Sequence, residues 1–92
     1  MLTDFSTPSI VYGKANHYFG NDVEIKPSTR KDKKYMLLNP QTDKWVHFGQ
    51  MGYQDYTKHK DEKRRDAFRR RNHKWKDTDP YTPSYLSYWL LW

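Results

Sequence analysis

The clearest hydrophobic pattern lies in the middle of the chain. Two short apolar and β-prone runs, at residues 35–38 and 45–48, are separated by a polar stretch that contains Asn39 and Pro40. Pro40 suits the second position of a type I turn, and the Asn39 side chain can accept a hydrogen bond at the first. The pattern therefore predicts a β-hairpin. Because an isolated hairpin is marginal in water, we expect another element to cover one of its faces.

Two helices are predicted after the hairpin. Asp61 is a suitable N-cap for a charged helix that runs to about Asn72, and it places Glu62 in the first turn, where the helix dipole favours an acid. A second helix begins at Thr82 and Pro83, with Thr as the N-cap and Pro at the first helical position. This last helix is apolar nearly all round, so we expect it to cover the hairpin and also to meet another protein.

Residues 1–33 carry no hydrophobic period that extends beyond about five residues. Pro8, Gly13, Gly20 and Pro27 interrupt them at short intervals. The pattern predicts an extended N-terminal arm, which is either pinned onto a surface or flexible. Residues 34–92 are predicted to form a small α+β domain, in which one or two short helices cover a β-hairpin.

Composition limits the size of the core. The chain has 92 residues, 35% of them hydrophobic and 16 of them aromatic, so aromatic rings must fill much of one small core. We expect a partner surface to complete it. Without cysteine there are no disulfides and no thiolate metal sites. The first residues show no signal peptide and no apolar run could span a membrane, so we expect a protein that is neither secreted nor membrane-spanning.

The positive charge is confined to one segment. Residues 58–76 contain ten Lys or Arg against three Asp or Glu, a net charge of +7, whereas the other 73 residues sum to −1. A solvated face normally mixes both signs, so this excess indicates an acidic partner. The predicted polyanion- or partner-binding residues are Lys58, Lys60, Lys63, Arg64, Arg65, Arg69, Arg70, Arg71, Lys74 and Lys76.

Aromatic residues have two interpretations. The rings of Tyr53, Tyr56, Phe68 and Trp75 lie in or near the basic segment, where they could stack on bases as in single-strand binders, but a core role is favoured because aliphatic residues are scarce. No sequence motif of a known nucleic-acid-binding fold is present. On the last predicted helix, the candidate protein-interface residues are Tyr85, Tyr88, Trp89 and Trp92.

No set of residues predicts catalysis. A hairpin followed by a helix with His47, His59, Asn72 and His73 suggests a metal-dependent nuclease, but Asn72 and His73 are adjacent at the helix end and therefore point apart. No phosphate-binding Gly-rich loop and no Ser/His/Asp set is found. The sequence indicates no enzyme, no cofactor and no metal site.

Several short blocks of sequence have a family resemblance. They are KDKKYM at residues 31–36, HFG at 47–49, GY at 52–53, DYT at 55–57, HKD at 59–61, KRR at 63–65, Trp75 and LLW at 90–92. Together they resemble a family of small uncharacterised proteins encoded by large DNA viruses of algae and protists. The resemblance covers about residues 30–92, implies a viral origin and a virion component, and carries over no catalytic residue.

The favoured function is therefore a non-enzymatic viral structural protein. It would be a small minor-capsid or cementing component, in the virion or the cytoplasm of the infected cell, that docks its arm and its aromatic last helix on larger capsid subunits. The alternative is a protein that binds DNA or RNA without sequence preference, with phosphates held by the basic residues of the segment 58–76.

Overall fold

The structure, a computed structural model, describes residues 1–92. Three antiparallel strands form one sheet in the order β1 (Ile25–Pro27), β2 (Lys33–Asn39) and β3 (Lys44–Gln50). The pair β2–β3 is the predicted hairpin, and its register sets Tyr35 opposite Phe48 and Leu37 opposite Val46. The predicted α+β class is confirmed.

Four helices accompany the sheet: α1 (Pro8–Phe19), α2 (Tyr56–His59), α3 (Glu62–Arg71) and α4 (Pro83–Leu86). Two 3₁₀ turns span Leu2–Asp4 and His73–Asp77, and a π-helical turn, Ser87–Leu91, continues α4. The predicted start of α3 is confirmed, because the Asp61 carboxylate accepts hydrogen bonds from the amides of Lys63 and Arg64. The start of α4 is confirmed as well: the Thr82 hydroxyl accepts the amide hydrogen of Tyr85.

Residues 1–33 do not form the predicted extended arm. Pro8 stands in the first turn of α1, where a missing amide hydrogen costs nothing, and Gly20, at φ 92°, ends the helix. Within α1, only Val11 and Ala15, one turn apart, are fully buried. This apolar stripe is too narrow to give a visible helical period, and α1 is held by tertiary packing more than by its own pattern.

One core joins three parts of the chain. Its buried residues come from α1, the hairpin and the last helix: Val11, Ala15, Tyr35, Leu37, Phe48, Leu86, Leu90 and Leu91. The predicted cover of the hairpin by the last helix is thus confirmed. Gly49 has φ 83°, and a Cβ there would lie 3.0 Å from Leu91 Cδ1, so glycine allows the helix to approach the sheet.

An ion pair is buried beside this core. Lys34 and Asp55 are 3% and 1% exposed, and Lys34 Nζ lies 3.1 Å from Asp55 Oδ2. The carbonyl oxygen of Phe5 accepts hydrogen bonds from Lys34 Nζ at 3.4 Å and from the amide of Asp55 at 3.0 Å. Desolvation lowers the pKa of Lys34, although Asp55 opposes that shift. The pair fixes the first residues of the chain against the hairpin.

A chain of hydroxyl groups completes the network. Tyr35 Oη donates to Ser6 Oγ at 2.7 Å, and Ser6 Oγ lies 3.2 Å from Thr57 Oγ1. Because the Thr57 hydroxyl donates to Asp55, Ser6 must be the donor to Thr57. The amide of Thr7 also donates to Thr57 Oγ1, at 2.9 Å. These directed bonds attach the entry of α1 to residues 55–57.

Candidate polyanion-binding surface and adjoining cleft

Most of the predicted basic residues are available to a ligand. The segment 58–76 covers the end of α2, all of α3 and the 3₁₀ turn that follows. Eight of its ten cationic side chains are exposed and none of these eight forms a salt bridge: Lys58, Lys60, Lys63, Arg64, Arg70, Arg71, Lys74 and Lys76. We call these eight residues the basic surface.

The other two cations make internal contacts. The Arg65 guanidinium carbon lies 4.7 Å from the centroid of the Tyr56 ring. Arg69 Nη2 donates to the carbonyl oxygen of Trp92 at 2.9 Å, and its guanidinium lies 5.7 Å from the Tyr88 ring centroid. These contacts give Arg65 and Arg69 a structural role, and their binding role stays a prediction.

Lys14, on α1, is half-buried and lies near charged side chains. Burial lowers the pKa of Lys14, the charge of Arg69 lowers it further, and the charge of Asp55 opposes the shift. A lowered pKa favours the neutral amine, so Lys14 is not counted with the basic surface.

The aromatic residues near α3 form a packed series of rings. Phe68 and Trp92 are stacked, with ring centroids 4.4 Å apart and planes 7° apart. Trp75 meets Phe68 edge-on at 5.9 Å, and His59 lies 5.2 Å from Trp92. The predicted core role is wrong for all four rings: Tyr53 is 70% exposed, and the half-buried Tyr56, Phe68 and Trp75 lie outside the core cluster.

The predicted interface residues of the last helix have partners inside the molecule. Tyr88 is buried, and Tyr85 meets Phe19 at a centroid distance of 6.4 Å. The ring centroids of Trp89 and Tyr18 are 5.6 Å apart, and Trp92 stacks on Phe68 of α3. These rings attach the helix to α1 and α3, and a role in binding another protein stays a prediction.

A cleft of about 480 Å³ opens beside the basic surface. It lies between the ends of the hairpin strands, α3 and the last helix. Aromatic, polar and charged side chains line it, among them Lys33, Tyr53, Arg64, Phe68, Trp75, Ser84, Ser87 and Trp92. The cleft therefore combines aromatic surface with three cations, of which Lys34 is paired with Asp55 and Lys33 and Arg64 form no salt bridge.

The histidines do not form a metal site. His47 Nδ1 is 2.7 Å from Ser28 Oγ on one side of the sheet, whereas His59 packs on Trp92 at the end of α2. Nowhere in the chain do three or more His, Asp or Glu side chains gather in a way that could hold an ion. Asn72, at the end of α3, donates its side-chain amide to the carbonyl oxygen of Phe68.

Sequence reasoning missed the buried ion pair and the cleft. Lys34 borders an apolar strand, and Asp55 stands in a polar connector, so neither differs locally from a surface residue. The cleft is lined by residues from 33 to 92, and no local pattern joins them.

None of the helices combines the length and apolar character that a membrane crossing requires.

Fold and surface define a small α+β protein with an unpaired basic face beside an aromatic cleft. Residues 23–72 match a protein family, described as a family of unknown function (DUF5754), and the chain belongs to that family. The matched region runs from the approach to β1 to the end of α3, and thus includes the sheet and most of the basic surface. No curated protein and no solved structure matches the chain.

Proposed function

We propose that this protein is a non-enzymatic binding protein that holds nucleic acid by its phosphate backbone, without reading the base sequence. The observation that carries the proposal is the basic surface, eight exposed cations within nineteen residues that form no salt bridge. Free cations at this density are what a polyanion requires. Three of the eight are Arg, whose guanidinium can form two parallel hydrogen bonds with a phosphate.

The physical basis is the release of counterions. Each phosphate that a Lys or Arg neutralises frees condensed cations, so affinity falls as salt rises, with a log–log slope of about 0.9 per contact on duplex DNA. This attraction depends on charge and not on sequence. The absence of a base-reading motif in the chain agrees with such a mode.

A capsid-associated role, in which the same surface docks on acidic faces of larger virion subunits, is the second candidate. The sequence favours this role because a free arm and an aromatic helix call for a partner. In the structure, α1 and the last helix meet inside one core, so these two features have an explanation within the chain. The basic surface is therefore the feature that still needs a partner. Because this surface is defined by its charge, it favours nucleic acid as that partner.

The experiment is a salt titration with a matched pair of double variants. Arg70→Gln with Arg71→Gln removes two exposed cations from the basic surface. The control, Arg30→Gln with Lys44→Gln, removes two exposed cations outside the basic surface. The two double variants therefore have the same net charge. Binding to a mixed-sequence duplex is measured by fluorescence anisotropy at several salt concentrations.

We expect the first variant to bind more weakly, and its salt slope to fall by about 0.9 for each phosphate that is no longer neutralised. The control variant should stay closer to the unmodified protein in both affinity and slope. Equal reductions in the two variants would show that net charge, and not this surface, attracts the ligand. If neither duplex nor single strand binds at physiological salt, the proposal is wrong and docking on an acidic protein becomes the leading candidate.

A further inference from the structure

We propose that the cleft holds an unpaired nucleobase, so that the protein prefers single-stranded nucleic acid to duplex. This inference rests on the proposed function and adds a ligand class to it. The strand would place its phosphates on the basic surface and turn one base into the cleft. Such a division between backbone contacts and base stacking is how sequence-tolerant single-strand binders work.

The cleft has the size and the chemistry that a base needs. Its volume of about 480 Å³ lies within the usual range for small-molecule sites. Aromatic rings supply stacking surface, and the hydroxyls of Ser84 and Ser87 and the amides of Gln50 and Gln54 supply donors and acceptors for a base edge. Since hydroxyls and amides can each donate or accept, the site does not select one base.

Tyr53 provides a free ring at the cleft. It follows Gly52, whose φ of 99° turns the chain after β3, and its side chain is 70% exposed. Phe68, Trp75 and Trp92, the other rings of the cleft, already meet aromatic neighbours, whereas Tyr53 has none. A large amphipathic side chain left in water beside a cleft is suited to contact with a ligand.

Two cations that form no salt bridge flank the same space. Lys33 comes from the start of β2, and Arg64 from the first turn of α3. A base in the cleft therefore has its own phosphate within the field of both, and Arg64 is itself part of the basic surface. Bases of a duplex are paired and stacked, and cannot enter without an unstacking cost, so the cleft adds affinity only for an unpaired strand.

The test compares three ligands and three variants. The ligands are a mixed-sequence single-stranded oligodeoxynucleotide, a strand of the same length in which every position is abasic, and the duplex. Tyr53→Ala removes the free ring, and Tyr53→Phe restores it without the hydroxyl. Tyr18→Ala removes a 45% exposed Tyr that does not line the cleft.

We expect Tyr53→Ala to weaken binding of the intact single strand by about fivefold or more, the size of one base–aromatic stack. Its binding of the abasic strand and of the duplex should not change, Tyr53→Phe should restore affinity, and Tyr18→Ala should have no effect. The salt slope should stay constant, because the cations that neutralise the phosphates are all still present.

Two other results separate this inference from the proposed function. If the unmodified protein binds intact, abasic and duplex ligands equally, or if Tyr53→Ala weakens all three alike, the base site is wrong and phosphate binding stands. If none of the three ligands binds, both are wrong. Circular dichroism of Tyr53→Ala and of Tyr18→Ala checks that each fold is intact, because Tyr18 packs on Trp89.

Discussion

Two groups of charged side chains in this molecule are opposites. Lys34 and Asp55 lie in the interior, each with its charge matched and hydrogen-bonded, and they tie Phe5 and Thr57 to the hairpin. The basic surface lies in water, with cations that have no ionic partner within the chain. The first group serves the fold and the second is free for a ligand.

The difference shows that burial, and not residue type, determines what a charge does. A buried ion that loses its partner is costly, because the interior screens it poorly and water cannot solvate it. An exposed cation is hydrated and screened by salt, so its removal barely affects folding. Substitutions in the two groups should therefore separate stability from binding.

The largest effect is expected at Asp55. Asp55→Ala leaves the Lys34 ammonium buried without a counterion and also removes an acceptor from Thr57. We expect the free energy of unfolding to fall by about 3–5 kcal/mol. Chemical denaturation measures this change.

Asp66→Ala is the control for that prediction. Asp66 is 60% exposed and lies 3.4 Å from Arg65 Nε, so its substitution removes an ion pair of the same charge type at the surface. The expected change is below about 1 kcal/mol. A similarly small change for Asp55→Ala would show that the buried pair contributes no more than a surface one.

The next largest effect is expected at Gly49, where the last helix packs closely against the hairpin. Gly49→Ala forces a side chain into a positive φ, with its Cβ 3.0 Å from Leu91 and 3.1 Å from Lys34. We expect the protein to be destabilised by about 1–3 kcal/mol, measured by thermal unfolding. Gly13→Ala, in an open position of α1, should instead stabilise the protein by up to about 1 kcal/mol. If Gly49→Ala and Gly13→Ala changed the melting temperature equally, the positive φ and the close contacts of Gly49 would not explain its effect.

A smaller effect on stability is expected for the basic surface itself. Arg70→Gln with Arg71→Gln should leave the melting temperature nearly unchanged, because both side chains are exposed and form no salt bridge. The same protein should bind nucleic acid more weakly. A large drop in melting temperature would mean that these cations support the fold. It would contradict the distinction between a buried pair that stabilises the fold and a surface that is free for a ligand.

A small, pH-dependent effect on stability is expected at His59, whose ring packs on Trp92. Burial, followed by the charge of Arg64, lowers the pKa of its imidazole below the ordinary value of 6.5. Protonation of Nδ1 would also break the hydrogen bond that it accepts from the amide of Asp61. The unfolded chain therefore takes up this proton first, and stability should fall as the pH drops below about 6.5. NMR titration of the ring checks the direction, and a pKa above 6.5 would contradict it.

Local signals in the sequence were sufficient for part of the fold. The β-prone runs around Asn39 and Pro40 predicted the hairpin, and Asp61 and Thr82 located two helix starts, because capping and turn chemistry act over three or four residues. The excess of cations in residues 58–76 is equally visible in the sequence. Helix α1 is not, since only Val11 and Ala15 form its fully buried stripe.

Neighbouring residues alone thus specify the hairpin, the two capped helix starts and the confinement of charge to one segment. The packed fold was needed to show that Lys34 and Asp55 meet, that Arg65 and Arg69 turn inward, and that Tyr53 remains exposed at a cleft. The physical reason is distance along the chain. Caps, turns and charge runs depend on neighbouring residues, whereas burial and partnership depend on segments that come together only when the whole core forms.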